Sequence, residues 1–361
     1  HAASVGEIVA TSPIVKEIQK QLPGVPILIS VITASGYDMA RRIIPEAAAI
    51  IYFPLDLPWL TQRLVSTVQP RAFLMVETEL WPNFLRAIKD HNIPAMMVNG
   101  RISDKSVSRY RHLRTILHNM LSTISLFCMQ SAIDAEYIVR LGADPRRVII
   151  TGNTKFDQNY TAISPEAKEK LQAELGLTGR YPVVIAGSTH KGEEEMLFAA
   201  FKQIKKEYPQ AGLILAPRDI MRTPELITLA ESQGLTVGRR TEAAARPVSN
   251  KDVIILDTIG ELGKVYSLGD VVFVGGSLVP TGGHNILEPA FHGKPILVGP
   301  HMFNFKETYT LFSKRQACLT VRDTRELTAT LLRLIGDDRE RKDMSERCLA
   351  IIRENQGAAE K

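Results

Sequence analysis

The stretch FVGGSLVPTGGHNILEPAFHGKPILVG, at residues 273–299, decides the fold class of this 361-residue chain. An apolar strand pattern leads into a glycine-rich loop, and a helical pattern opens near His284 and Asn285 before a second apolar strand begins. Strand, loop, helix and strand in that order are typical of a parallel α/β sheet. Glycines let backbone amides approach a ligand, and a helix N-terminus carries partial positive charge. The loop therefore predicts a phosphate-binding site.

The same alternation of short apolar runs and longer helical patterns extends along both halves of the chain. It predicts an α/β fold of two Rossmann-like domains that face each other across a cleft, with ligands at the carboxyl ends of the strands. A polar stretch from 151 to 175 interrupts the alternation, and we place the domains at 1–155 and 156–361, with the last helix packing back onto the first domain. Strands are expected at 26–33, 50–53, 72–76, 95–99, 126–129 and 148–151, and then at 183–187, 212–216, 253–256, 271–274 and 295–298.

Composition excludes several classes of protein. Hydrophobic residues make up 45% of the chain and charged residues 23%, which is normal for a soluble globular protein and disfavours a disordered or fibrous one. The cysteines, Cys128, Cys318 and Cys348, are odd in number and widely spaced, so they predict neither a disulfide framework nor a metal site. No apolar run is long enough to span a membrane. The net charge of +5 suggests an acidic partner and leaves nucleic acid, an anionic lipid surface and a phosphorylated substrate open.

Three segments of the second half point to a nucleotide. In the glycine-rich stretch, Glu288 lies one turn after Asn285 on the same helix face, where its carboxylate can accept hydrogen bonds from ribose hydroxyls. The alternative is that Asn285 only caps the helix and Glu288 only complements its dipole. Pro217 and Arg218 directly follow a predicted strand, and arginine is suited to bidentate contact with phosphate. Residues 257–262 (DTIGEL) also follow a strand and present backbone amides.

Charged residues mark the strand ends of the first half. Ser4 and Glu7 form the S-x-x-E pattern of a capping box, which needs no catalytic role. Because Gly6 beside them leaves room for a substrate, we favour Glu7 as a general base as well. Residues 77–82 (ETELWP) place two more carboxylates at a strand end, with a solvated acidic first turn as the alternative. Lys155, at the domain boundary, either offers positive charge to a phosphate or is merely solvated.

The stretch Arg101–Leu121 has basic residues and apolar residues at helical spacing, with Asp104 as its single acid. Such a pattern is typical of a contact with a membrane surface or an acidic substrate, although an ordinary solvated helix shows it too. The sequence contains no Asp-x-Asp pair, no Walker motif, no dinucleotide fingerprint and no H-E-x-x-H. Metal-dependent sugar transfer, nucleotide hydrolysis, hydride transfer and zinc chemistry are therefore disfavoured.

Eight segments, taken together, resemble the Kdo (3-deoxy-D-manno-octulosonic acid) transferases of lipopolysaccharide biosynthesis. They occur in order over nearly the whole chain, so the resemblance is far more specific than any single motif. The segments are SVGE, ETELWPN, GNTKFD, GSTHKGEEE, PRD, DTIGEL, GGSLVPTGGHNILEPA and GPHMFNFKE.

The resemblance implies a glycosyltransferase of the GT-B type that inverts the anomeric centre and needs neither a metal nor another cofactor. Its donor would be CMP-Kdo, and its acceptor a lipid A precursor (lipid IVA) at the cytoplasmic face of the bacterial inner membrane, with no nucleic acid as partner. The first domain would bind the acceptor and the second domain the nucleotide sugar. Arg101–Arg114 would contact the membrane, and we expect a hydrophobic anchor ahead of His1.

The same resemblance implies the roles of particular residues. Glu7 would be the general base, and Glu77 and Lys155 would stabilise the transition state, with no metal ligand in the chain. The nucleotide-donor site would contain Pro217, Arg218, Ile259, Gly260, Glu261, Asn285, Ile286, Leu287 and Glu288.

Two other functions stay open from the sequence. A nucleotide-sugar 2-epimerase shares the two facing Rossmann-like domains but would bind UDP rather than CMP, and it would need no lipid. A non-enzymatic basic protein at the membrane surface would bind anionic lipid through the basic stretch and would bind no nucleotide.

Overall fold

A computed structural model describes residues 1–102, 114–158, 160, 162–244, 248 and 250–361. Most of Arg101–Arg114, the predicted membrane contact, therefore lies outside the described residues. By its internal contacts the chain divides into two compact units. Unit 1 consists of His1–Asn159 and Asn355–Lys361, and unit 2 of Tyr160–Glu354. The assignment of 1–155 to the acceptor and 156–361 to the nucleotide sugar stays a prediction, as does the packing of the last helix.

In unit 1, all strand pairings that the structure describes are parallel. The strands form one sheet in the order β1-β2 and another in the order β3-β4-β5-β6. The strands are β1 (Leu28–Val31), β2 (Ala49–Tyr52), β3 (Phe73–Val76), β4 (Ala95–Gly100), β5 (Ile124–Met129) and β6 (Val148–Ile150). The helices are α1 (Val5–Gln21), α2 (Ala34–Ile43), α3 (Pro58–Val68), α4 (Pro82–Asp90), α5 (Arg114–Ser122) and α6 (Ala132–Arg140).

Residues His1 and Ala2 connect these two sheets. The amino group of His1 donates to the carbonyl of Leu74 at 2.7 Å, and the N–H of Val76 donates to the carbonyl of His1 at 2.9 Å, which is a parallel pattern. On the other side, the N–H of Ala2 donates to the carbonyl of Ser30 at 3.0 Å. The chain therefore runs between β1 and β3 before it enters α1. The N-terminus of α1 consequently lies at the carboxyl end of these strands.

The helices that follow the strands of unit 1 begin at residues suited to that position. Ser4, Thr33 and Ser131 cap α1, α2 and α6, because their hydroxyl oxygens accept a backbone N–H from the first turn. Pro58 and Pro82 occupy the first turns of α3 and α4, where a missing N–H costs nothing. These starts keep the side chains of the strand–helix turns at the carboxyl edge of the sheets.

Unit 2 contains one parallel sheet of seven strands, in the order β13-β12-β11-β7-β8-β10-β9. The strands are β7 (Val183–Thr189), β8 (Gly212–Pro217), β9 (Val237–Arg239), β10 (Val253–Ile255), β11 (Val271–Val274), β12 (Ile296–Val298) and β13 (Cys318–Thr320). The helices are α7 (Pro165–Glu174), α8 (Glu193–Glu207), α9 (Thr223–Ser232), α10 (Leu262–Val265), α11 (Leu287–Phe291), α12 (Lys306–Lys314), α13 (Thr324–Gly336) and α14 (Asp338–Asn355).

The central strands of unit 2 are apolar along most of their length because both faces of the sheet are covered. Phe198 and Phe201 of α8 pack with Phe273 of β11 in the largest part of the core, and each is at most 1% exposed. Burial of one such side chain contributes about 2–3 kcal/mol. This core holds the loops at the carboxyl ends of β7 and β11 in fixed positions.

Every strand predicted from the sequence is found, with small differences at the ends. The sequence predicts neither β9 nor β13, which are three residues long each and lie at the two edges of their sheet. None of the described helices combines the length and the apolar character that crossing a bilayer requires.

Candidate functional site

Glu7 stands in the first turn of α1, at the carboxyl edge of unit 1. Its Oε1 accepts a hydrogen bond from the Ser4 hydroxyl at 2.8 Å, and its Oε2 accepts one from the N–H of Ala3 at 2.7 Å. The N–H of Glu7 in turn points to the Ser4 hydroxyl oxygen at 3.4 Å. The predicted cap by Ser4 is therefore confirmed, whereas the Glu7 carboxylate accepts the N–H of Ala3 rather than that of Ser4, which a full capping box would require. The residue is 9% exposed, so its carboxylate is fixed and mostly removed from water.

Burial raises the pKa of Glu7 above its ordinary value. The hydrogen bonds from Ala3 and Ser4 oppose this shift, whereas the negative charges of Glu79 and Glu77 add to it. A carboxylate with a raised pKa is a stronger base than an ordinary glutamate. The capping role and the role of a base are therefore compatible in one residue.

Glu77 directly follows β3 and forms an ion pair with Lys155, whose Nζ lies 3.1 Å from its Oε1. Its φ is +59°, which is unfavourable for a residue other than glycine and costs about 1–3 kcal/mol. Strain of this kind is concentrated at functional sites. The neighbouring carboxylate of Glu79 accepts a hydrogen bond from the Trp81 ring at 3.0 Å instead. The two acids of the ETELWP segment are therefore held in different ways.

The short turn Thr154–Asp157, which includes Lys155, is fixed by side-chain amides. The Asn99 carboxamide oxygen accepts the N–H of Thr154 at 3.1 Å, and the Asn153 carboxamide oxygen accepts the N–H of Lys155 at 2.9 Å. Gln130 joins the two asparagines, since it donates to the carbonyl of Asn99 and accepts from the Asn153 amide, both at 2.9 Å. Asn99 itself is the penultimate residue of β4 and has a φ of +52°.

The same turn is tied to helix α1. The Thr154 hydroxyl donates to the carbonyl of Ala10 at 2.8 Å, and Gln158 donates to the carbonyl of Val9 at 3.1 Å. These carbonyls belong to the helix that begins beside Glu7. The structure therefore brings Glu7, Glu77 and Lys155, the three predicted catalytic residues, to one edge of unit 1.

Asp157 closes the turn from the other side. Its two carboxylate oxygens accept the N–H groups of Gly357 and Ala359, each at 2.7 Å. Burial raises the pKa of Asp157, although these backbone hydrogen bonds oppose the shift. Residues 355–361 are held against unit 1 by these contacts.

In unit 2, Glu193 organises the glycine-rich loop. Its carboxylate accepts four backbone N–H groups, from His190 and Gly276 at 2.9 and 2.7 Å on Oε2, and from Ser277 and Leu278 at 2.9 Å each on Oε1. Glu193 is the first residue of α8 and is completely buried. No motif in the sequence indicates this role. The Glu193 carboxylate joins the loop after β7 to the loop after β11.

The glycine-rich loop is not a simple ring of amides that face a ligand. Gly275, Gly276 and Gly283 donate their N–H groups to the carbonyl of Gly187, the Glu193 carboxylate and the carbonyl of Gly276. A Cβ on Gly275 would lie 2.5 Å from the carbonyl oxygen of Ser188. The prediction that the glycines of this loop, at 275, 276, 282 and 283, bring their amides to a ligand is therefore wrong for Gly275, Gly276 and Gly283, whose N–H groups already have acceptors within the protein. Glycine is needed at position 275 because the backbone of residues 188 and 189 passes it in close contact.

Asn285 lies just ahead of α11, which has Ile286 at its N-cap and begins at Leu287, slightly later than the sequence predicts. The Asn285 carboxamide oxygen accepts the N–H of Leu287 at 3.0 Å, and its nitrogen lies 3.3 Å from the Tyr160 hydroxyl and 3.5 Å from the Glu288 carboxylate. Burial raises the pKa of Glu288, although the hydrogen bond from Asn285 opposes the shift. Ile286 and Leu287 are buried. Tyr160 was not singled out by any sequence motif.

The other predicted donor residues also lie after strands. Pro217 is buried at the end of β8, and Arg218 is exposed, with its backbone N–H donated to Thr189 at 2.9 Å. Ile259 is 75% exposed, and Gly260 has a φ of +90° with open space where a Cβ would be. The structure brings Ile259 and Gly260 to the surface as a projecting turn.

Glu261 differs from its neighbours because it has a partner. The Arg240 guanidinium lies 3.0 Å from its carboxylate. Burial would raise the pKa of Glu261, but hydrogen bonds from Arg240 and Thr258 lower it below its ordinary value. Glu261 and Lys264 line a cavity of about 340 Å³ against α7, within the range of small ligand sites. Arg240 could not be found from the sequence, since it lies outside every motif.

Within the described part of the chain, no group of three or more His, Cys, Asp or Glu side chains is arranged to hold a metal ion.

Comparison with known proteins gives consistent matches along the chain. Residues 1–158 match the family model described as 3-deoxy-D-manno-octulosonic-acid transferase. The whole chain is 34% identical to the 3-deoxy-D-manno-octulosonic acid transferase of Haemophilus influenzae and covers 84% of that protein. Over 99% of its length it is 32% identical to the Bordetella pertussis enzyme of the same name, again covering 84% of it.

A solved structure shares the fold. The UDP-GlcNAc 2-epimerase from Neisseria meningitidis bound to UDP-GlcNAc has a TM-score of 0.62, with 98% of this chain and 97% of that one covered. The two sequences are only 12% identical, so this likeness shows the fold alone. It confirms the predicted α/β architecture of two Rossmann-like domains.

Proposed function

The chain belongs to the 3-deoxy-D-manno-octulosonic acid (Kdo) transferase family, and we propose that it transfers Kdo from CMP-Kdo to a lipid A precursor, lipid IVA, in lipopolysaccharide biosynthesis. The observation that carries the proposal within the site is the Glu7 carboxylate, which is fixed by Ala3 and Ser4 and has a raised pKa. A hydroxyl of the acceptor needs such a base to become a nucleophile.

The proposed reaction inverts the anomeric carbon in one displacement. Glu7 takes the proton of the acceptor hydroxyl while that oxygen forms a bond to the anomeric carbon of Kdo. The bond between this carbon and the phosphate oxygen breaks on the opposite face, and its electron pair leaves with CMP. Lys155, paired with Glu77 at 3.1 Å, supplies fixed positive charge at the same edge of unit 1 and stabilises the transition state.

Unit 2 would bind the nucleotide. Arg218 is exposed at the end of β8 and suits a phosphate, while Asn285 and Glu288 suit hydroxyl groups. Pro217, Ile286 and Leu287 are buried and would take part through their backbone. Gly260 leaves open space beside the exposed Ile259 side chain.

The acceptor is a lipid, so the enzyme would work at the cytoplasmic face of the inner membrane. The basic stretch Arg101–Arg114 would contact the anionic membrane surface. Residues 1–155 would bind the acceptor and residues 156–361 the nucleotide sugar. As proposed, the reaction uses no metal, because Arg218 and Lys155 provide the positive charge.

Transfer of Kdo from CMP-Kdo to lipid IVA by the wild type, Glu7→Gln and Glu17→Gln tests the proposal. Glutamine at position 7 can keep the capping box but cannot accept the proton, so transfer should fall by about 10²–10⁴ with the melting temperature retained. Glu17 lies on the same helix without contact to Glu7, and its replacement should leave transfer unchanged.

Each other outcome has a definite meaning. Full activity of Glu7→Gln would show that Glu7 is only a helix cap and would direct attention to Glu77 and Glu79. A folded wild type that binds CMP but transfers no Kdo would refute the substrate assignment. Thermal stabilisation by UDP rather than CMP would favour an epimerase, and stabilisation by neither would favour a lipid-binding protein.

A further inference from the structure

The first strand of unit 2, β7, lies inside the sheet, with strands that follow it in the chain on both sides. β7 pairs with β8 on one side and with β11 on the other. After β7 the chain first forms the strands on the β8 side of the sheet and only later those on the β11 side. The connections that follow β7 and β11 therefore lead away from each other. Ligands of open parallel sheets bind at the carboxyl ends of the strands beside such a switch point.

Two histidine side chains meet at this switch point. His190 directly follows β7, and His284 belongs to the glycine-rich loop after β11. Their Nε2 atoms are 2.8 Å apart, and the rings are nearly parallel, with an angle of 12° between their planes. Both residues are half-buried, so a ligand can reach them. Because Glu193 bonds both loops, the facing position of the rings is fixed by the backbone.

Only one proton can lie between two ring nitrogens at this distance, since a hydrogen bond needs one N–H and one bare nitrogen. Burial, and then the nearby charges of His190 and Arg218, lower the pKa of His284 to about 4. His284 is therefore neutral near neutral pH, and one of the two rings donates its Nε2–H to the bare Nε2 of the other. Arg218, after β8, places positive charge near His284, and the carboxylate of Glu193, which joins the two loops, is occupied by four backbone N–H groups.

Building on the proposed function, we propose that His190 and His284, together with Arg218, bind the phosphate of the cytidine nucleotide and that the histidine pair takes up one proton as this phosphate becomes a dianion. In CMP-Kdo the phosphate is a diester with one negative charge. When the bond to Kdo breaks, its electron pair stays on the phosphate oxygen and adds a second charge. The proton of the acceptor hydroxyl goes to Glu7, and the proton that enters the pair comes from solvent.

The uptake of a proton also changes the geometry of the pair. Two protonated nitrogens cannot keep a hydrogen bond to each other, so the Nε2–Nε2 contact opens and an N–H group becomes available to the phosphate. A dianion beside the rings favours this charged form, whereas the free protein disfavours it. The histidine pair would then carry its positive charge in the donor site only when the product phosphate is present.

Calorimetry of CMP binding to the whole chain tests this inference. Titration near pH 6.5, the ordinary pKa of histidine, in two buffers of different protonation enthalpy gives the number of protons taken up per CMP bound. His284→Gln can still form a hydrogen bond but cannot take the proton. Subtracting the proton uptake of this variant from that of the wild type removes the contribution of any proton that CMP itself carries. His118→Gln, an exposed histidine in α5 of unit 1, is the matched control.

The wild type should take up more protons per CMP than His284→Gln, by roughly half to one, and should bind CMP about ten times more tightly. His118→Gln should behave as the wild type, and cytidine, which has no phosphate, should show no difference between the proteins. If His284→Gln does not fold, the proton uptake of the wild type on binding CMP is compared with its uptake on binding cytidine. The known protonation of free CMP is first subtracted from the CMP value.

Equal proton uptake by the wild type and by folded His284→Gln would overturn the inference while leaving the proposed function intact. The same would follow if cytidine gave the same difference as CMP. A folded wild type that does not bind CMP would overturn both the histidine pair and the proposed donor site. The transfer assay on the wild type keeps these failures apart.

Discussion

Glu193→Gln should loosen the two loops that meet at the switch point of unit 2. The Glu193 carboxylate accepts four backbone N–H groups, two on each oxygen. Glutamine has only one acceptor oxygen, and its NH₂ group would face two of the four donors. If the remaining oxygen keeps Ser277 and Leu278, the N–H groups of His190 and Gly276 lose their acceptor.

The structure sets the size of the effect. Glu193 is completely buried, so water cannot replace the lost acceptor. A buried N–H without a partner costs about 1–3 kcal/mol, and two of them cost about 2–6 kcal/mol. This is a large share of the total stability of a domain, which is about 5–15 kcal/mol. The free energy of unfolding of unit 2 should therefore fall by that amount.

Urea denaturation and hydrogen exchange measure this loss. Both tryptophans, Trp59 and Trp81, belong to unit 1, so the unfolding of unit 2 is better followed by circular dichroism. The amides of residues 276–278 should exchange faster in Glu193→Gln than in the wild type. Glu195→Gln is the matched control, since Glu195 is exposed in the same first turn of α8 and should change stability by less than about 0.5 kcal/mol.

A loss below about 1 kcal/mol in Glu193→Gln would refute this reasoning. So would a loss of equal size in Glu195→Gln, or amides at 276–278 that stay protected. The carboxylate would then be replaceable by a neutral amide, and the loops would be held by other contacts.

Four further predictions concern the rest of the molecule. Gly6→Ala should stabilise α1 by about 0.5–1 kcal/mol, because a Cβ there meets no atom closer than 4.0 Å, yet it should reduce Kdo transfer; unchanged transfer would show that a substrate does not need this space. Burial raises the pKa of Glu7 above 4.5, so the ionised carboxylate lowers the stability of the folded protein as pH rises through and beyond that value. Glu7→Gln should therefore melt at the same or a higher temperature than the wild type at pH 7. A lower melting temperature would contradict the raised pKa. Asn99→Gly, which suits the positive φ but removes the acceptor for the turn at 154, should cost about 1–3 kcal/mol and lower kcat more than it changes KM, which steady-state kinetics will check. Burial raises the pKa of Cys318 and Cys348 to about 12, so a thiol reagent at pH 8 should modify them only as fast as the protein unfolds.

Local sequence signals predicted the acidic edge of unit 1 well. The S-x-x-E pattern specifies a contact between Ser4 and Glu7, three residues apart, and the structure contains it. Glu77 follows a strand that its apolar residues mark clearly, so its place at the carboxyl edge follows from the parallel sheet. Lys155 could be placed at the boundary, but its ion pair with Glu77 spans 78 residues and no local pattern specifies it.

The glycine-rich loop shows where such signals fail. Three acidic residues in the first turn of α8 are typical of a helix N-terminus, and nothing local separates Glu193 from its neighbours. Its acceptor role depends on amides 83 to 85 residues away. Because no local pattern reveals so distant an acceptor, the sequence favoured a ligand as the partner of the loop amides. In the structure the buried Glu193 side chain already accepts their hydrogen bonds.

Short elements were missed because they carry too few residues for a pattern. His1 and Ala2 connect two sheets with only two residues. The edge strands β9 and β13 have three residues each, which is too short for an alternation to be recognised. Tyr160 and Arg240 contact the predicted donor residues from segments without any motif, so only the folded chain reveals them.

The contact of Asp157 with residues 357 and 359 has a consequence for synthesis on the ribosome. The N–H of Gly357 is made 200 residues after the carboxylate that accepts it. At about 5–20 residues per second, this delay is roughly 10–40 s. During that time the nascent unit 1 has an acidic side chain in its turn without the amides that later satisfy it. The ribosome makes most of unit 1 first, yet unit 1 has its complete set of hydrogen bonds only after the whole of unit 2 has been translated.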